Sequence, residues 1–212
     1  MKPKIGVIDY GSGNFSSVWN ALSFLELDKV RVTTPDEIGS ASHLILPGVG
    51  AFAVAMRKLE KLNLVDEIRY QISEKKKPFL GICVGMQLLA SLGTEFEEYA
   101  GIGAIPGIVQ KMNTKDEGLI LPHMGWNTVH PTRTSLLFHD MTPSPIFYFV
   151  HSYHFVPTSS QVVLAQCNYG NDFVAVIQHE NIFGVQFHPE KSQHHGLQLL
   201  KNFAAVEARK SA

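Results

Sequence analysis

Apolar and polar positions in the first half of the chain alternate between short apolar runs and stretches of helical spacing. Residues 4–9 read as a strand, and residues 14–25 place Val18, Leu22 and Leu25 on one side of a helix. Residues 30–33, 43–46 and 79–82 are further predicted strands, with predicted helices at 52–62 and 65–74. Strands alternating with helices imply a parallel sheet with helices on both faces. The texture then changes. Residues 107–112, 128–130, 147–151, 162–167, 173–178 and 183–186 are all strand-like, and turn residues at Asn171-Asp172 and Glu180-Asn181 predict antiparallel hairpins. A last helix is expected from about His194, with Leu197, Leu200 and Phe203 on one side. No repeat or shift in composition divides the chain, so residues 1–212 are read as one α/β domain.

Composition narrows the function classes. The chain is 45% hydrophobic and 17% charged with a formal net charge of -1, which supplies a core and no electrostatic footprint for nucleic acid. The lysines at 75–77 read as a solvated helix end. No apolar run is long enough to span a bilayer. Two cysteines far apart in sequence argue against a disulfide framework and fit a cytoplasmic protein.

The most informative segment is Gly81-Ile82-Cys83-Val84-Gly85-Met86-Gln87, where an apolar strand runs into Cys83 and a helical pattern follows. A sharp strand–turn–helix of this kind holds a nucleophile above a sheet, and the flanking glycines admit close backbone approach. A helix start just after the sulfur favours negative charge there, and the Val84 N–H points into the space an oxyanion would fill. A buried structural cysteine is the competing reading of the same pattern. Cys167, in an apolar strand without such a turn, reads as core.

A thiol nucleophile needs a base, and the base an orienting group. Of ten histidines, His188 follows the strand Phe183-Gly184-Val185-Gln186-Phe187 and is followed by Pro189-Glu190. Strand ends carry sites in parallel sheets, and residues two apart in an extended segment share a side. Glu190 could thus hold one imidazole nitrogen while the other faces Cys83.

Together, the segment around Cys83 and Val185-Gln186-Phe187-His188-Pro189-Glu190 resemble the class I (triad) glutamine amidotransferases. Four further motifs are similar to the glutaminase subunits of imidazole glycerol phosphate synthase. These are Asp9-Tyr10-Gly11-Ser12-Gly13-Asn14, Pro47-Gly48-Val49-Gly50, Pro122-His123-Met124-Gly125-Trp126-Asn127 and Tyr148-Phe149-Val150-His151-Ser152-Tyr153. The resemblance implies a flavodoxin-like fold with a central, mostly parallel sheet flanked by helices and antiparallel strands in the C-terminal half. It implies Cys83 as nucleophile, His188 as general acid and base, and Glu190 as orienter, with glutamine hydrolysed through a γ-glutamyl thioester.

The resemblance also implies backbone donors for the oxyanion from Gly48, Val49 and Val84, with the Gly48–Val49 peptide reorienting to complete them. Gln87, Glu95, Ser152 and Tyr153 are the expected glutamine contacts, with Glu95 meeting the ammonium group. Asn14, Trp126 and Lys191 are expected at a partner interface or ammonia channel, and Asn14 also as a helix N-cap. The implied partner is a separate (β/α)8-barrel cyclase that uses the ammonia to make imidazole glycerol phosphate and AICAR in histidine biosynthesis. No cofactor, metal, nucleic acid or membrane is implied; the histidines at 151, 154, 194 and 195 have no cysteine or carboxylate cluster beside them. Two readings compete: a non-catalytic amidotransferase-like subunit, and a glutaminase serving anthranilate or pyridoxal phosphate synthesis.

Overall fold

The computed structural model describes residues 3–114 and 118–207. The strands are β1 (Lys4–Ile8), β2 (Asp28–Val32), β3 (His43–Leu46), β4 (Phe79–Ile82), β5 (Leu92–Gly93), β6 (Tyr99–Ala100), β7 (Gly107–Lys111), β8 (His123–Thr128), β9 (His130–Pro131), β10 (Ile146–His151), β11 (Tyr153–Pro157), β12 (Val163–Tyr169), β13 (Asn171–His179) and β14 (Ile182–Val185). The helices are α1 (Phe15–Phe24), α2 (Pro35–Gly39), α3 (Phe52–Lys61), α4 (Leu64–Ser73), α5 (Val84–Gln87) and α6 (Gln193–Ala204).

An eight-stranded sheet runs in the order β2-β1-β3-β4-β14-β13-β12-β9. Its first five strands are parallel and the rest antiparallel. Of the parallel strands, β3, β4 and β14 are buried along their whole length, as expected for strands covered on both faces. A two-stranded ribbon of β8 and β10 and a four-stranded sheet in the order β11-β7-β5-β6 complete the structure.

Three local expectations are corrected. The predicted strand at 128–130 is instead the junction of β8 and β9, with Val129 buried between them. The hairpin between β12 and β13 turns at Gly170, whose φ of 74° suits glycine, and Asn171 and Asp172 already lie in β13. The helix after Cys83 is a single short helix, α5, so a helix dipole contributes less at the sulfur than the sequence pattern suggests. Leu197 lies half-buried beside the fully buried Leu199, Leu200 and Phe203 of α6.

Candidate active site

Strands β4 and β14 are parallel neighbours, with Val185 opposite Ile82. The Cys83 N–H extends this ladder by donating to the Val185 carbonyl at 2.8 Å. The residues that follow the two strands therefore emerge side by side at the carboxyl end of the sheet, where ligands bind in open α/β folds.

Cys83 has φ 53° and ψ -110°, a backbone state that L-residues avoid and that a nucleophile elbow requires. The turn is tight enough to exclude side chains around it. A Cβ on Gly81 would lie 2.5 Å from the Gly85 carbonyl oxygen, and one on Gly85 would overlap the Leu46 carbonyl oxygen. A Cβ on Gly48 would lie 2.8 Å from the Gly85 nitrogen and from the Tyr10 hydroxyl. The Pro47–Gly50 turn thus sits directly on the elbow. As first residues of α5, Val84 and Gly85 carry N–H groups with no preceding helical turn to accept them.

His188 is fully buried, and its Nδ1 is 2.8 Å from Glu190 Oε1. Its Nε2 has no hydrogen-bond partner among the described residues. Burial disfavours the charged ring, but Cys83 and then Glu190 outweigh it and raise the histidine from 6.5 to about 10. Pro189 starts a 3-10 turn, Pro189–Lys191, which brings Glu190 back under the ring. Asn14 holds the N-cap position of α1, as expected, but its side chain is engaged elsewhere. It is 3% exposed, makes no side-chain cap to α1, and donates from Nδ2 to Glu190 Oε1 at 3.1 Å while accepting from the Ser12 hydroxyl.

A cleft of about 440 Å³ opens onto Cys83, Val84, His188, Val49 and Gly50, and is also lined by Gln87, Glu95, Ser152 and Tyr153. The structure therefore brings the expected glutamine contacts to one place and corrects how two of them are engaged. Glu95 Oε2 accepts the Phe52 N–H at 2.9 Å and so caps α3, for which Ala51 offers no side-chain cap. Gln87 donates from Nε2 to the Tyr153 carbonyl and to Gln186 Oε1, both at 3.0 Å. Since His151 Nδ1 also reaches the Tyr153 carbonyl, at 2.9 Å, that oxygen is already occupied by protein donors.

The sequence reading gave no role to Gln186. It is fully buried, and its Nε2 lies 3.7 Å from Cys83 Sγ. A polar residue at an apolar strand's end, two positions before His188, was the available signal. Trp126 and Lys191 lie outside the cleft, each beside Tyr148. The Trp126 ring meets Tyr148 edge-on at 5.9 Å, and Lys191 Nζ is 5.9 Å from the same ring.

A family model for glutamine amidotransferase class-I matches residues 6–206. The chain is 47% identical over 206 residues to imidazole glycerol phosphate synthase subunit HisH of Moorella thermoacetica, and 44% identical over 210 residues to that of Salinibacter ruber. Each alignment covers 97% of this chain and 96% of the relative. The solved structure of PurLQS from Thermotoga maritima has the same fold, with a TM-score of 0.72 at 20% identity over 96% of this chain and 98% of that one. With its elbow, its buried histidine–carboxylate pair and full-length relatives of one kind, the chain belongs to the class-I glutamine amidotransferases and, among them, to the HisH glutaminase subunits of imidazole glycerol phosphate synthase.

Proposed function

We propose that Cys83, His188 and Glu190 are the triad through which this chain hydrolyses glutamine to glutamate and ammonia. One observation carries the reading. His188 is gripped through Nδ1 by Glu190 while its Nε2 is left for the cleft it shares with Cys83. With the ring raised to about 10, His188 is an imidazolium at neutral pH. The Cys83 thiolate adds to the glutamine side-chain carbonyl, and His188 gives its proton to the departing nitrogen. The γ-glutamyl thioester is then cleaved by water, which His188 deprotonates, and glutamate leaves.

The Val84 N–H and the Gly48–Val49 peptide are the oxyanion donors in this reading. Losing one such donor costs on the order of 3 kcal/mol of barrier. Val49 and Gly50 line the cleft beside Cys83, which supports this turn as the second wall of the oxyanion site, and reorientation of the Gly48–Val49 peptide is the completing step in this reading. Glu95 meets the substrate ammonium, and the Ser152 and Tyr153 backbone borders its other side.

Free ammonia is protonated at neutral pH and ceases to be a nucleophile, so its use calls for direct transfer. The partner in this reading is a separate (β/α)8-barrel cyclase, which takes the ammonia and forms imidazole glycerol phosphate and AICAR. The exposed face of the β8–β10 ribbon supports a docking surface. Met124 is 61% exposed, Trp126 50% and Ile146 43%, and the strand register puts all three on one face of the ribbon. The chain acts as one domain in the cytoplasm. Among the described residues no helix is long and apolar enough to cross a membrane.

The test is Cys83→Ala in the complex. Glutamine-dependent synthesis is lost and ammonia-dependent synthesis remains; glutamine-dependent turnover by this variant would overturn the assignment. In wild type, cyclase loaded with its ribonucleotide raises glutaminase turnover by orders of magnitude. Equal rates with and without it would overturn the gating.

A further inference from the structure

The geometry points to Gln186 as a catalytic hydrogen-bond donor to the Cys83 sulfur, held in its donating orientation through Gln87 by the Tyr153 carbonyl, on which a hydrogen-bonded histidine pair behind the exposed ribbon also ends. This rests on Cys83 being the nucleophile.

The orientation of every member follows from backbone groups whose polarity is fixed. The Tyr153 carbonyl can only accept, so His151 Nδ1, 2.9 Å away, carries a hydrogen. In the neutral ring His151 Nε2 then accepts, and His123 Nδ1, 3.1 Å from it, donates. His123 Nε2 is left to accept from Asn127 Nδ2 at 3.3 Å. Asn127 is fixed independently, since its Nδ2 donates to the Asn168 carbonyl at 2.8 Å and its Oδ1 accepts the Thr128 N–H at 2.8 Å. Two separate anchors therefore demand the same direction along the histidine pair.

The second half runs from the same carbonyl. Gln87 must turn its nitrogen to the Tyr153 oxygen, and that nitrogen also reaches the Gln186 amide at 3.0 Å. Gln186 must then show Gln87 its oxygen, which leaves its NH₂ for Cys83 Sγ at 3.7 Å. An N–H at that place stabilises an anionic sulfur more than a neutral one. Gln186 and Gln87 are 0% and 3% exposed, so water does not compete for these bonds. Burial also keeps both histidines neutral, lowering His123 from 6.5 to about 4 and His151 to about 3, as the chain requires. A proton on either ring would set two donors against each other.

Two measurements test this. In wild-type protein at neutral pH, nitrogen-15 NMR of the histidines finds His123 and His151 neutral and protonated on Nδ1, the less common tautomer in water. Either ring protonated on Nε2 overturns the chain. In the complex, Gln186→Met keeps the side chain's length and removes the donor. The pH profile of Cys83 alkylation by iodoacetamide moves to higher pH, so that alkylation on its rising limb is slower by roughly tenfold. Glutaminase kcat falls with it while KM for glutamine changes little, and ammonia-dependent synthesis is retained. An unchanged alkylation profile and kcat overturn the role of Gln186. Should Gln186→Met fail to fold, the same alkylation and kcat readings on Gln87→Met, which frees Gln186 from the Tyr153 carbonyl, decide its role. If Cys83→Ala abolishes glutamine use but Gln186→Met does not weaken it, this inference fails and the triad stands.

Discussion

Asn14 and His188 hold the same oxygen of Glu190, Asn14 from Nδ2 at 3.1 Å and His188 from Nδ1 at 2.8 Å. The carboxylate that orients the base is thus itself oriented by a residue at the start of α1. Asn14→Asp turns this donor into a second carboxylate against a buried one, so glutaminase kcat falls by roughly a hundredfold, more than in Asn14→Ala. KM for glutamine stays near its wild-type value, because Asn14 does not line the cleft. Steady-state kinetics of the two variants beside wild type check the order; equal losses would remove the electrostatic argument.

The elbow predicts a contrast between two glycines. Gly85→Ala drives a Cβ into the Leu46 carbonyl and costs about 3 kcal/mol or more, since backbone rather than a flexible side chain must move. Gly50→Ala meets nothing within 4 Å and costs only the strain of its φ of 96°, about 1 kcal/mol. Urea unfolding of both variants measures the difference.

Glu95 has two duties that substitution can separate. Glu95→Ala removes the cap on α3, lowers stability by about 1 kcal/mol and raises KM for glutamine. Glu95→Gln keeps an oxygen for the Phe52 N–H, so stability holds while KM still rises. A KM unchanged in both variants would assign Glu95 to the helix alone.

Buried neutral histidines set the acid response of the fold. His123 and His151 are lowered by burial to about 4 and about 3, and burial lowers His43 and His154 as well. The unfolded chain binds protons at these rings near 6.5 and the folded chain does not. Their contribution is therefore complete above about 6.5 and drains away as pH falls toward 4 and 3. His188 has the opposite sign. Raised to about 10, it contributes fully below 6.5 and loses that contribution as pH rises through 10. With four rings against one, the urea midpoint should already drop between about pH 6.5 and 5, ahead of most carboxylate titration. A flat midpoint there would contradict neutral, buried rings.

The parallel half of the fold was legible because its apolar runs and helical spacings are local, and Cys83, His188 and Glu190 were legible because each sits in a distinctive short pattern at a strand end. Partnerships across distance were not. Asn14 looks like a helix cap because it precedes α1, yet its amide turns to Glu190, a contact that only docking of the Pro189–Lys191 turn creates. The β11 strand went unread because its partner β7 lies far back in the chain. Gln186 could be read as the polar end of a strand, but its orientation depends on Gln87 and a carbonyl contributed by β11.

The β8–β10 ribbon has consequences beyond its exposed patch. Met124 and Trp126 stand on one surface of it, while His123 and Asn127, alternating with them along β8, stand on the other. Anything seated on Trp126 is separated by the thickness of one peptide layer from the histidine pair, which shares the Tyr153 carbonyl with Gln87, so a docked protein lies one sheet away from the hydrogen bonds that end at the sulfur.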